Sequence, residues 1–266
     1  QRAGHIPGAA MLNIETPQRK ILLSGDFDTR DSPLTKGAKP VKTDTLFVEG
    51  TYGGREHPPL IEEEQKFVNH VQRVIDRGGK VLIPAFANGR TQDVVMRLHK
   101  YLPHLDVHVD GMGKRIAGMQ MNHPETLRDP DAFKTAWAWS HRVSSKSDRK
   151  KALEADVIVS TSGMLQGGPS IWYLNRLRHD PTNAILFTGY HLGNLSRRTV
   201  GKRSRVRKRD EHCLSHAGFQ LQADVERLHV HGVIEQIEQR ADLAQLLDFP
   251  SADRFIFDER AVEVVF

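Results

Sequence analysis

Through the middle of the chain, short apolar and β-branched runs alternate with longer stretches of helical period. Residues 80–86, 107–109, 156–160 and 184–188 read as buried strands, each too short and too β-branched for a helix. Residues 61–77 predict a helix that places Val68, Val71 and Ile75 on one face. Glu62, Glu63 and Glu64 suit the positive end of its dipole, and Gly78-Gly79 ends it. Strands separated by helices imply right-handed crossovers, hence an α/β unit with a mostly parallel sheet over roughly residues 54–195. In such a sheet functional side chains gather at the carboxyl ends of strands, here residues 86–90, 160–164 and 188–191. The two ends of the chain have a different rhythm. Strands are predicted at 20–23 and 45–48 around a Ser24-Gly25-Asp26 turn, then at 228–232 and 261–266 with a helix over 234–247, as if both ends belong to another sheet.

Composition narrows the class without naming a chemistry. With 38% hydrophobic and 27% charged residues, and 21 Gly and 13 Pro spread through 266 positions, the chain is globular rather than collagen-like, coiled-coil or disordered. It has no apolar run long enough to span a bilayer, so no membrane association is expected, and the N-terminus carries neither an apolar signal core nor an initiating Met. A single cysteine, Cys213, excludes an internal disulfide and a four-thiolate zinc site, and suits a reducing, cytoplasmic setting. Charge is uneven. Between Arg197 and Asp210 stand eight basic residues and one acid, a net +7, which leaves the remainder of a +5 chain at −2. Such a run reads either as a contact for a polyanion or as a solvated loop.

Three metal-competent side chains each sit beside glycine at the edge of a predicted strand: His5 in Gly4-His5-Ile6-Pro7-Gly8, Asp26 in Ser24-Gly25-Asp26-Phe27, and His231 in Val230-His231-Gly232. Imidazole and carboxylate suit zinc or manganese, although each residue singly also reads as one that fixes a turn. Taken in order with Val48-Glu49-Gly50-Thr51, Pro84-Ala85-Phe86-Ala87-Asn88-Gly89-Arg90, Ser162-Gly163-Met164-Leu165 and Thr188-Gly189-Tyr190, these segments make a series of seven. The series resembles the β-CASP branch of the metallo-β-lactamase superfamily, which includes the cleavage-and-polyadenylation endonuclease and archaeal and bacterial J-type ribonucleases, over nearly the whole chain.

The resemblance implies an α/β fold in which a β-CASP domain, residues 54–214, is inserted into the trailing part of a metallo-β-lactamase αββα sandwich formed by residues 1–53 and 215–266. It implies that His5, Asp26 and His231 are metal ligands, Asp26 bridging two zinc ions, and that Glu49 orients a histidine. The nearest text to that histidine's signature is Leu214-Ser215-His216-Ala217, which makes His216 the general acid; a second alignment gives the part to His231. Two metals can activate water and stabilise phosphodiester cleavage, while a protonated histidine serves the leaving oxygen. Arg90 after one strand, and Ser162 with the Gly163 backbone after another, suit phosphate, against readings as a surface ion pair and a helix cap. Arg203, Arg205, Arg207 and Lys208 are the expected RNA contacts within the basic run. The superfamily's His-x-His-x-Asp-His metal cluster is absent from these 266 residues. Two roles therefore follow: a metal-dependent ribonuclease in RNA processing or decay, or a non-catalytic RNA-binding or scaffold subunit. A DNA-directed relative is a third, weaker reading. An incomplete sandwich would expose apolar sheet faces and favour a homodimer or association with the missing half.

Overall fold

A computed structural model of the chain describes residues 1–51, 58–165 and 167–188 together with the strands Arg254–Asp258 and Ala261–Val265. The chain divides into two compact units, Gln1–His57 with Val225–Phe266, and Pro58–Asp224. Both are built on a sheet.

In the first unit the strands are β1 (Leu12–Glu15), β2 (Lys20–Leu23), β3 (Thr45–Val48), β9 (Arg254–Asp258) and β10 (Ala261–Val265), ordered β1-β2-β3-β10-β9. β2 and β3 pair in parallel, with Leu22 opposite Leu46, while the other neighbours pair antiparallel. Leu22 and Leu46 are buried with Ala3, Met11, Val41 and Val48, which draws the N-terminal segment onto the sheet. β2 and β3 occupy the segments that their apolar pattern predicts. β1 was not anticipated, because three of its four residues are exposed and an edge strand of this kind carries no buried face to leave a period.

The second unit carries β4 (Val81–Pro84), β5 (Val107–Asp110), β6 (His141–Arg142), β7 (Val157–Ser160) and β8 (Ala184–Ile185), ordered β6-β5-β7-β4-β8 with every pair parallel. This is the expected α/β architecture. Helices α1 (Leu60–Asp76), α2 (Arg90–Tyr101), α3 (Gly113–Met121), α4 (Pro130–Trp139), α5 (Lys146–Lys151) and α6 (Gly168–Leu177) connect the strands. β4 and β7 are fully buried along their lengths, which is why they read as continuous apolar runs rather than alternating ones. Leu82 of β4 and Ile158 of β7 form one core cluster with Leu165, Tyr173 and Leu174.

The face of α1 differs from the one its apolar residues predict. Phe67, Val71 and Val74 are buried, with Val68 and Ile75 only half-buried, and the stripe begins with an acid, Glu64. Glu64 can lie there because α2 supplies partners. Arg97 pairs with it, and the Tyr101 hydroxyl donates to its Oε2 at 2.6 Å. On its other side Arg97 donates from Nε to Asp93 Oδ2 at 3.0 Å. Burial pushes the Asp93 carboxyl up to about 6 and draws the Arg97 guanidinium down to about 10, so the pair is still ionised at neutral pH.

Replacing Arg97 with Met should destabilise the chain by about 3–5 kcal/mol at neutral pH, because two buried carboxylates lose their shared cation. The sign of the pH effect follows from Asp93. In the unmodified chain its folded value of about 6 already lies above the ordinary 3.8, and loss of the Arg97 cation raises it further, so as pH falls the folded variant takes up its proton earlier than the unmodified protein does. The variant should therefore recover part of its deficit between neutral pH and pH ~4.5. Urea titrations at both values check this; a deficit below about 1 kcal/mol at neutral pH would show that Arg97 is dispensable.

Candidate metal and phosphate site

Parallel pairing of β2 with β3 sets their carboxyl ends side by side, and that is where the candidate side chains of the first unit meet. The Ser24 backbone N–H, just past β2, donates to Phe47 O at 2.9 Å, and Ser24 Oγ accepts from the Glu49 backbone N–H at 3.2 Å. Ser24 thus ties the loop bearing Asp26 to the one bearing Glu49. Glu49 is half-buried, and its Oε2 accepts from the Thr51 N–H at 2.8 Å.

His5 reaches the same place through its neighbours. Asp28 N–H donates to Ala3 O at 2.9 Å, Ala38 N–H donates to Asp28 O at 2.8 Å, and the Thr35 hydroxyl donates to Gly4 O at 2.8 Å. The backbone passes so close that a Cβ on Gly4 would lie 2.2 Å from Asp28 O and 2.6 Å from Ala38 N. Gly4 also has a φ of 75°, a region that glycine enters at no steric cost. The result is that His5 Nε2 stands 3.9 Å from Asp26 Oδ2, with both side chains open to solvent.

That pair fits zinc as two donors. Ligand distances of about 2.0–2.2 Å put two tetrahedral donors roughly 3.5 Å apart, a small closure for two exposed side chains. A closed site takes four donors, however, and among the described residues no group of three or more His, Cys, Asp or Glu side chains is placed to hold a metal ion. His231, the third expected ligand, and His216 lie outside the described residues, as do Arg203, Arg205, Arg207 and Lys208.

In the second unit the carboxyl ends of β4, β5 and β7 form a rim of tight turns. Arg90 opens α2 directly after Gly89, and Arg90 Nη1 lies 3.5 Å from Asp93 Oδ2. The guanidinium is therefore anchored at one side while 42% of the side chain stays exposed. Ser162 does not cap α6, whose N-cap is Gly167; its hydroxyl donates to Gly167 O at 3.4 Å, within the β7–α6 turn. Gly163 is buried, and a Cβ there would come within 2.9 Å of Phe86 N, so this glycine lets the turn after β7 lie against the turn after β4.

Behind the rim is a polar cluster that the sequence reading did not single out. Asp110, the last residue of β5, is 2% exposed; its Oδ2 accepts from Arg149 Nε at 2.7 Å and from the Tyr173 hydroxyl at 3.0 Å. Its Oδ1 accepts from Gly111 N–H at 2.7 Å and lies 3.6 Å from Lys114 Nζ. Asp110 holds the Arg149 guanidinium above its ordinary value, while burial, reinforced by Asp110, pushes the Tyr173 phenol up. The signal available was Asp110-Gly111-Met112-Gly113, an acid and two glycines directly after a strand. Arg149 and Tyr173 lie 39 and 63 residues away, beyond any local pattern.

Residues 91–199 match the Beta-Casp domain family. A probable RNase, MJ4, from Methanocaldococcus jannaschii is 33% identical over 245 residues, which is 85% of this chain and 56% of that protein. RNase aCSPSF2 from Saccharolobus solfataricus is 33% identical over 196 residues, 72% of this chain and 40% of its own length. Cleavage and polyadenylation specificity factor subunit 3 from Dictyostelium discoideum is 32% identical over 225 residues, 78% of this chain and 29% of its own. The chain thus spans about half, or less, of the length of these curated relatives. With a parallel α/β unit carrying the Beta-Casp match, and relatives that extend the likeness over most of its length, the chain carries a Beta-Casp domain and is similar beyond it to proteins named as RNases and as a cleavage factor subunit.

Proposed function

We propose that this chain is part of a metal-dependent ribonuclease that hydrolyses phosphodiester bonds in RNA processing or decay. The observation that carries the reading is the approach of His5 Nε2 to Asp26 Oδ2, 3.9 Å apart at the carboxyl end of a parallel strand pair. Relatives named as RNases and as a cleavage factor subunit support it. His5, Asp26 and His231 would hold zinc, which when bound supplies Lewis acidity and an activated water at neutral pH. The chain's own groups have distinct tasks. Glu49 orients the imidazole of His216, and His216 gives its proton to the departing sugar oxygen. Arg90 and the Ser162-Gly163 turn each hold a phosphate, and the basic run tracks the strand backbone.

A second reading, a non-catalytic RNA-binding or scaffold subunit, is favoured by one observation: two, not four, donors meet among the described residues. The two readings share RNA binding and part at cleavage.

If residues 197–209 contact phosphates, the logarithm of RNA affinity falls with the logarithm of salt by about 0.7 per contact on a single strand. Changing Arg203, Arg205, Arg207 and Lys208 together to Ser should lower that slope by roughly 3 and weaken all sequences alike, because phosphate contacts carry no base readout. Filter binding across a salt series measures it, and an unchanged slope marks the run as a solvated loop.

His216→Ala should behave otherwise. In a cleavage-competent form of the protein it lowers turnover by about 10²–10⁴ and leaves RNA affinity nearly intact. Full cleavage by that variant, with loss on His231→Ala, would transfer the acid role to His231; RNA binding with no metal-dependent cleavage in the unmodified protein would establish the scaffold reading.

A further inference from the structure

At the β6 edge of the parallel sheet stands a second group of titratable side chains. β5 and β6 pair in a register that sets His108 opposite His141. Residues paired in this way share a face, and the two imidazole rings lie 5.0 Å apart. Asp106 Oδ1 is 3.2 Å from His108 Nε2 and 3.7 Å from His141 Nε2. Together with Arg142, Ser144, and Asp148 and Lys151 of α5, the two imidazoles line a cavity of about 450 Å³.

The fixed charges around this cavity are slightly acidic. Arg142 and Lys151 stand against Asp106 and Asp148, and against Asp156, whose Oδ2 accepts from the Asp106 N–H at 2.8 Å. Asp148 is engaged by the Ser144 and Ser145 N–H groups at 3.1 and 2.9 Å, which hold it below the usual carboxylate range. Arg142 is fixed in place, its Nη1 donating to Trp137 O at 2.7 Å and Ser140 O at 2.9 Å. On β7 the residues in register with His108 and its neighbour are Ile158 and Val157, which bring no charge. The sign of the cavity is therefore set by the two imidazoles. Uncharged, they leave it with more carboxylates than cations; protonated, they reverse that balance and add a set of N–H donors of which Asp106 takes only part.

We propose that this cavity is an anion site for a phosphoryl group, closed to the anion while His108 and His141 are neutral and opened when both are protonated. The phosphoryl oxygens accept from the imidazolium N–H groups, Arg142, Lys151 and the Ser144 hydroxyl, a set of charge-assisted bonds suited to a dianion. Burial lowers His108 below its ordinary 6.5, partly offset by Asp106, so the opening falls on the acidic side of neutrality. By linkage, a bound dianion in turn favours the protonated form of His108. The proposal uses none of the metal donors and does not rest on the ribonuclease reading.

Sulfate is a suitable first probe, since it stays dianionic throughout and any pH dependence belongs to the protein. Calorimetry on the full chain should give affinity at least about tenfold tighter near pH 5.5 than near pH 7.5. Imidazole resonances of His108 and His141 should move to higher titration midpoints when sulfate is added. His108→Gln combined with His141→Gln should remove the pH dependence; should that variant not fold, the resonances of the unmodified chain decide. Equal affinity at both pH values, or a sulfate response confined to other histidines, overturns the proposal. Inorganic phosphate and a 5′-phosphorylated trinucleotide identify the source: similar affinities make the ligand a free small anion, and a clear preference for the trinucleotide makes it a nucleic acid end.

Discussion

Parallel strand pairing is the constraint on which the rest of this molecule depends. It places the carboxyl ends of neighbouring strands side by side, so that residues far apart in sequence leave the sheet at one edge. In the first unit this brings the loop after β2 against the loop after β3, and Ser24 joins them through Phe47 O and the Glu49 N–H. In the second it brings the turns after β4, β5 and β7 together. The same geometry, used twice, brings the loop of Asp26 beside the loop of Glu49 and the glycine-rich turns beside Arg90.

What fixes side chains on these edges differs between the units. Around His5 the work is done by backbone: Gly4 packs against Asp28 and Ala38 so closely that no Cβ fits, and a solvent-exposed imidazole is aimed at an exposed carboxylate. Around the second rim it is done by buried polar groups. Asp110 gathers Arg149, Tyr173 and Lys114 behind β5, while Arg97 joins Asp93 of its own helix to Glu64 of α1. Each of these groups is costly to bury alone and is held by its partners, which ties the helices in one arrangement.

These differences decide how much could be read from the sequence. β2, β3, β4 and β7 have buried faces, and their apolar runs announce them. β1 is exposed at three of four residues and left no period. His5, Asp26 and Glu49 stand beside glycine at strand edges, so type and spacing marked them. Asp110 was hidden because its partners come from residues 114, 149 and 173, and charged residues scattered over such distances look like solvated surface until a fold assembles them. The face of α1 was misplaced for a related reason: Glu64 belongs to the buried stripe only because Arg97 and Tyr101 meet it there.

If the first unit aims His5 and Asp26 at one metal ion, as proposed, cobalt(II) binding to the full chain depends on both side chains. Tetrahedral cobalt with nitrogen and oxygen donors absorbs in the visible, and zinc should displace it. His5→Ala and Asp26→Asn should each weaken binding by about tenfold or more, comparable to the loss of an orienting group in other metal sites, and Gly4→Val should do so without removing a ligand. Unchanged affinity in all three variants would place the metal elsewhere and contradict the account.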